Sequence, residues 1–140
     1  VSGGLLMQVS PTYPPNIDAI LTVLPMVSKT PGVIFTYGDI IHNPSGKEVR
    51  DHLLHHESVH MGQQKAMGPE KWWEQYLADP DFRLSQELEA YRAEYKFLME
   101  NYNREDRRKL LKHITTALSS SMYGNLVNKK LAEQLILEGQ

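Results

Sequence analysis

The chain has no cysteine at all. That one absence excludes disulfides, thiolate nucleophiles and cysteine-built zinc ribbons, so any metal has to be held by His, Asp or Glu. Long apolar runs are missing too: none approaches the roughly 20 residues of a membrane-crossing helix, and no membrane partner is expected. Charge of one sign is also lacking, with 15 Lys and Arg against 17 Asp and Glu. The overall balance therefore gives no reason to expect a nucleic-acid partner. No repeat and no low-complexity tract occurs. The opening VSGGLLMQVS lacks the basic start and apolar core of a secretory signal, so the expected location is cytoplasmic or virion-associated.

What is present is an ordinary globular composition, 41% hydrophobic and 23% charged over 140 residues. That suffices for one compact domain over 1–140 that buries a core without covalent staples. Residues 1–15, with Pro11, Pro14 and Pro15, read as a flexible arm or an expression remnant. Asn16 is placed to cap a short helix from Ile17 that Pro25 kinks or ends. In GVIFTYGDIIH, β-branched and aromatic residues flank Gly38-Asp39, a loop suited to a type II′ turn, and predict strands over 33–37 and 40–42.

Ser45 with Glu48 three residues later forms a capping-box pattern, and Gly68-Pro69 is a helix stop; together they predict a helix over about 46–66, with Gly62 as its weak point. PEKWWEQYLAD is a shorter helix ended by Asp79-Pro80. In DFRLSQELEAYRAEYKFLMENY, the residues Leu84, Leu88, Tyr91, Tyr95, Leu98 and Tyr102 recur at the 3–4 spacing of one buried helix face. Helices around 104–120 and 126–137 follow, separated by SSSMYGN. The expected fold class is mainly α (α+β), one small domain with a single β-hairpin.

The stretch LLHHESVHMGQQ packs three of the six histidines around one glutamate. His56, Glu57 and His60 spell H-E-x-x-H within the predicted helix. Imidazoles four residues apart stand one turn apart, with Cβ atoms roughly 6 Å apart, and both reach one ion on the same face. Zn2+, the expected cofactor, takes such nitrogens at about 2.0–2.1 Å. Glu57 is displaced around the helix, where it can face a water without ligating, the layout of a general base. Zinc lowers the pKa of water from near 15.7 to about 7, which makes hydroxide available at neutral pH. Amide hydrolysis is the expected reaction, with Glu57 moving a proton from water to the leaving amine. His55 points about 100° away from His56, toward solvent or behind the ligands. His42 and His52 are placed to border the cleft.

Catalytic zinc usually has three protein ligands and an open position. The version with a third histidine two turns on fails because Gln63 stands where glycine is required and no histidine follows until His113. A carboxylate from another helix is needed, and QELEAYRAEY offers Glu87, Glu89 and Glu94. At about 100° per residue, Glu87 and Glu94 lie roughly 60–80° from the centre of the apolar stripe and Glu89 about 140° from it. Glu87 is the first choice as third ligand. Glu94, two turns on, is either an acceptor for a ligand histidine's free N–H or an exposed helix charge.

With these residues the sequence resembles the gluzincins, zinc peptidases of the thermolysin type, in which H-E-x-x-H precedes a helix carrying a glutamate ligand. Their downstream pattern E-x-x-A-D or E-x-x-A-N is matched at Glu87 and Ala90 in ELEAY, with Tyr91 where Asp or Asn is usual. That departure leaves Glu94 or another group to contact a ligand histidine. The resemblance covers about 32–95, from FTYGDIIHNP through HHESVHMGQQ to ELEAYRAEY, and LSSSMYGNLV resembles the end of such proteins. The nearest likeness is to compact single-domain members encoded in bacteriophages and prophages. It implies a zinc metallopeptidase with a peptide or protein substrate and phage-related proteins as partners. It further implies a strand within 33–42 that pairs with extended substrate. It also implies a tyrosine or histidine that assists the oxyanion, for which Tyr123 and Tyr91 are the candidates beside the alternative of an interior role.

Two further readings compete with this one. In one, the metal staples two helices of a non-catalytic structural or binding module, as in a phage-related particle. The other, nucleic-acid binding through Arg104, Arg107, Arg108, Lys109 and Lys112, is disfavoured. Glu105 and Asp106 interrupt the run, and Leu110, Leu111, Ile114 and Leu118 make it an ordinary amphipathic helix. Trp72 and Trp73 suit either a specificity pocket or the core.

Overall fold

The computed structural model describes residues 7–140; residues 1–6 of the expected arm lie outside the described residues. The elements run β1 (Gln8–Ser10), α1 (Ile17–Val23), β2 (Phe35–Tyr37), β3 (Ile40–His42), α2 (Asp51–Met67), α3 (Pro69–Ala78), α4 (Pro80–Asn101), α5 (Arg104–Leu118) and α6 (Lys129–Glu138). Single 3-10 turns occupy Pro25–Lys29 and Ser121–Tyr123. The expected mainly helical α+β class is what forms. Among the described residues no helix is long and apolar enough to cross a membrane.

The hairpin closes as its turn residues require. Gly38 sits at φ +66° while Asp39 is not among the positive-φ residues, the combination a type II′ turn needs. Phe35 then faces His42 and Tyr37 faces Ile40 across the antiparallel pair. A third strand was not foreseen. Residues 8–10 belong to the sheet rather than to a free arm: β1 runs parallel to β3 with Gln8 opposite Ile40, giving the order β1-β3-β2. Three residues are too few to show a period-2 pattern, so only the partner strand reveals them.

Helix α2 starts five residues later than the capping-box pattern predicts. Ser45 Oγ donates to Asn43 Oδ1 at 3.1 Å and accepts from Lys47 N at 3.2 Å, with Gly46 at φ +72°. The hydroxyl thus holds a local turn instead of capping a helix, a competition open to every Ser and Asn. Gly62 does not interrupt the helix. Gly68, at φ +88°, ends α2, and Pro69 opens α3 at a position where its missing N–H is no loss. Asp79 closes α3 and caps α4 by accepting from Asp81 N and Phe82 N.

Two apolar clusters flank a polar seam. Ile20, Leu24, Val27, Phe35, Trp72, Trp73 and Tyr76 form one. Tyr91, Ile114, Leu118, Ala132 and Ile136 form the other, with Leu84, Leu88 and Tyr95 of the predicted stripe packed against it. Between them α2 faces α4 with His52, His56, His60 and Gln64 at a regular spacing of four, plus Glu57; these are its buried residues, and every one is polar. From α4 come Arg83, Glu87 and Glu94. The buried surface of α4 is therefore wider than its apolar stripe, and it takes in both glutamates placed at the edge.

Candidate metal centre

His56, His60 and Glu87 meet at the middle of this seam. Their nearest atoms are His56 Nε2 to Glu87 Oε1 at 3.1 Å and His60 Nε2 to the same oxygen at 3.2 Å. One donor atom from each residue lies within 4.8 Å of the others, and all three residues are buried. Ligands 2.0–2.2 Å from one ion at tetrahedral angles stand about 3.4 Å apart, so the spacing suits a common ion. These three residues form a group able to hold a metal.

The partners of the other ring nitrogens favour that assignment. His56 Nδ1 stands 3.0 Å from Glu94 Oε1, and a carboxylate only accepts, so Nδ1 carries the proton. His60 Nδ1 stands 2.8 Å from Gln63 Oε1. The amide nitrogen of Gln63 is already donating to Gln86 O at 3.1 Å and Glu89 Oε1 at 2.9 Å, which leaves its oxygen for His60. In the neutral rings both Nε2 atoms are therefore bare, and two lone pairs face one carboxylate oxygen. Such a cluster needs positive charge at its centre, supplied by protons or by a metal ion.

The electrostatics express the same demand. Burial is the largest influence on His56 and lowers its pKa, but hydrogen bonds to Glu87 and Glu94 and the charge of Glu57 together raise it well above the usual range. The His60 pKa is also raised, with burial opposed chiefly by the charge of Glu87. Burial pushes the Glu87 carboxyl up, yet His60 and His56 outweigh it and hold the group far below the ordinary carboxylate range. Tyr76 Oη donates to Glu87 Oε2 at 2.5 Å, so both oxygens are engaged.

Glu57 is set apart from this group of three. Thr36 Oγ1 of β2 donates to its Oε1 at 2.8 Å, while its Oε2 stands 3.9 Å from His56 Nε2. Burial raises the Glu57 pKa and the flanking imidazoles only partly offset it, which suits a group that must accept and release a proton. Tyr91 packs edge-on against the His56 ring at 4.3 Å, and its hydroxyl lies 2.8 Å from that of Tyr123. Burial, then the charge of Glu87, lifts both phenols well above their usual value, so both keep their protons at neutral pH.

These groups open onto a cleft of about 420 Å³ whose lining includes Val33, Ile34, Trp73, His113, Thr116 and Met122 besides the centre itself. Trp72 and Trp73 both contribute to this lining and to the core. Trp72 also packs edge-on at 5.3 Å from the His60 ring. The strand edge expected to pair with an extended ligand is partly taken. Thr36 O accepts from Gln64 Nε2 at 2.7 Å and Trp73 Nε1 at 2.9 Å, while the segment before β2, from Thr30 to Ile34, lines the cleft.

Apart from His113 of the cleft lining, the other histidines fall elsewhere. His55 is exposed and stacks on Phe97 at 4.0 Å. His42 does not line the cleft: it is buried beside Thr12, whose Oγ1 lies 2.9 Å from its Nδ1. His52 is buried against Glu94 rather than at the cleft border. Of the glutamates weighed, Glu89 is exposed, and Glu94 is an interior acceptor rather than a surface charge. Thr36, Gln63 and Tyr76 were not assigned roles from sequence. Gln63, three residues after His60, had a helical-spacing signal; Thr36 and Tyr76 arrive from other elements and had none. Against family models, curated proteins and solved structures, the chain gives no match.

Proposed function

We propose that the protein is a zinc-dependent peptidase of the gluzincin type, hydrolysing peptide bonds in a peptide or protein segment. One observation carries the proposal: two bare imidazole nitrogens and a carboxylate oxygen converge at 3.1–3.2 Å, with a fourth group, Glu57, beside them at the cleft. Two nitrogens and one oxygen make a donor set suited to zinc, and three protein ligands are the usual number for a catalytic site. When bound, zinc polarises a carbonyl and makes a water acidic enough to lose a proton near neutral pH.

The chain's own residues supply the rest. His56, His60 and Glu87 would hold the ion, and Glu94, Gln63 and Tyr76 fix their orientation. Glu57 takes a proton from the attacking water through Oε2, since Oε1 is tied to Thr36, and delivers it to the leaving nitrogen as the C–N bond breaks. In the Tyr91–Tyr123 pair one hydroxyl donates to the other. The accepting phenol keeps its own proton for an anionic oxygen in the cleft.

Glu57→Gln preserves shape and ligands but removes the base. Peptide-library cleavage should fall by roughly 10²- to 10⁴-fold while bound zinc, measured by elemental analysis, stays at the wild-type level. Cleavage at the wild-type rate by this variant would sink the mechanism.

A further inference from the structure

The polar stripe of α2 includes a histidine one turn before the ligands. His52 is 2% exposed and does not reach the cleft. Its Nδ1 lies 2.7 Å from Glu94 Oε2, while Oε1 of the same carboxylate lies 3.0 Å from His56 Nδ1. A fully buried carboxylate thus bridges two imidazoles at i and i+4 of one helix. Glu94 can only accept, so both rings donate through Nδ1. Among the described residues, His52 Nε2 is buried without a hydrogen-bond partner, and the contact to Glu94 is the one polar bond the His52 ring makes there.

The geometry points to His52 as a positioning residue for the metal centre: by holding the outer oxygen of Glu94 it fixes the inner oxygen on His56 Nδ1, and so aims the His56 Nε2 lone pair at the ion. The terminal torsion of a glutamate is broad and roughly two-fold, so a single hydrogen bond leaves the carboxylate free to turn. Two donors on the same helix remove that freedom, because α2 itself sets their separation. Groups that bond a ligand histidine directly, as Glu94 bonds His56, typically change metal affinity 10- to 100-fold when removed, and His52 acts through that group. The inference rests on the metal-centre reading and not on hydrolysis, so it stands or falls independently of peptidase activity.

The test is competition titration of Zn2+ against a chromophoric chelator with the full chain, together with the visible spectrum of the Co2+-loaded form. His52→Leu should weaken zinc by about tenfold, the low end of that range, and alter the Co2+ bands. His52→Asn, which keeps a donor near the Nδ1 position, should recover most of the affinity. In a double-mutant cycle with Glu94→Gln, the pair of changes should lose little more than Glu94→Gln alone. Wild-type affinity with an unchanged Co2+ spectrum in His52→Leu, or additive losses in the cycle, would overturn the assignment. A purely structural His52 would lower Tm without moving either metal readout. If His52→Leu does not fold, long-range 1H–15N spectra of the zinc-loaded wild-type protein decide. Protonated Nδ1 at both His52 and His56 supports the bridge, and an unprotonated His52 Nδ1 refutes it. A wild-type chain that takes up no zinc would overturn the metal-centre reading and this inference with it.

Discussion

Helix α4 is packed by opposite means on two sides. Toward α5 and α6 it presents Leu84, Leu88, Tyr91 and Tyr95 to Ile114, Leu118, Ala132 and Ile136. Toward α2 it presents Glu87 and Glu94 to His52, His56 and His60. The apolar side stabilises through area, about 25 cal/mol per Å², and tolerates exchange of one hydrocarbon for another of similar volume. The polar side is stabilising only when each charge meets its partner, since a buried carboxylate or imidazole left alone costs several kcal/mol. Apolar packing holds the frame, and the seam gathers most of its buried ionisable groups.

The largest expected contrast comes from substituting one residue on each side. Glu87→Gln keeps the side-chain shape but removes the charge shared by two imidazoles. Zinc affinity should drop more than about 100-fold, measured by chelator competition; a change under tenfold would remove Glu87 from the ligand set. Leu118→Ala, at a position 0% exposed, should destabilise by about 2–5 kcal/mol in chemical denaturation and leave zinc affinity of the folded chain near wild type. A loss of zinc affinity as large as that of Glu87→Gln would show that the two sides are not separable.

A smaller effect follows from pH. Despite burial, Glu87 and Glu94 are held below the ordinary 4.5. In chelator their stabilisation is present above that value and is lost as pH falls through the lowered folded values. His56 and His60 are raised above 6.5, so theirs is present below 6.5 and is lost as pH rises through the raised values. The metal-free chain should therefore have its highest Tm between these limits. Zinc should reverse the alkaline decline, because the ion replaces the protons and gains affinity as the imidazoles deprotonate. Parallel Tm–pH curves with and without zinc would contradict this. Least of all should come from Lys109→Ala on the exposed face of α5, which breaks the 3.5 Å pair with Glu105. It should change stability by less than about 0.5 kcal/mol and touch neither side of α4.

Much of this was legible in the chain, for local reasons. The hairpin, the helix that follows it and the i, i+4 pair of His56 and His60 all depend on residues within one or two turns of one another. Glu87 was reachable too, because helical phase alone separates it from Glu89. Where local reading failed, a competing contact had won. Ser45 closed a turn rather than capping α2, and Gln8–Ser10 became a strand because β3 had a free edge to pair with. The role of Glu94 stayed open between interior acceptor and surface charge, because helical phase alone cannot show which neighbour covers a residue.

Composition and a 3.6-residue period are enough to set the mainly helical class, the absence of cysteine chemistry and the face of α2 on which two imidazoles align. Tertiary structure alone decided that Glu87 reaches both Nε2 atoms, that Tyr76 and Thr36 complete the centre, and that one carboxylate, Glu94, joins His52 to His56. The reason is separation along the chain. Those pairings join residues 11 to 42 positions apart, and no local period specifies which helix comes to lie over which.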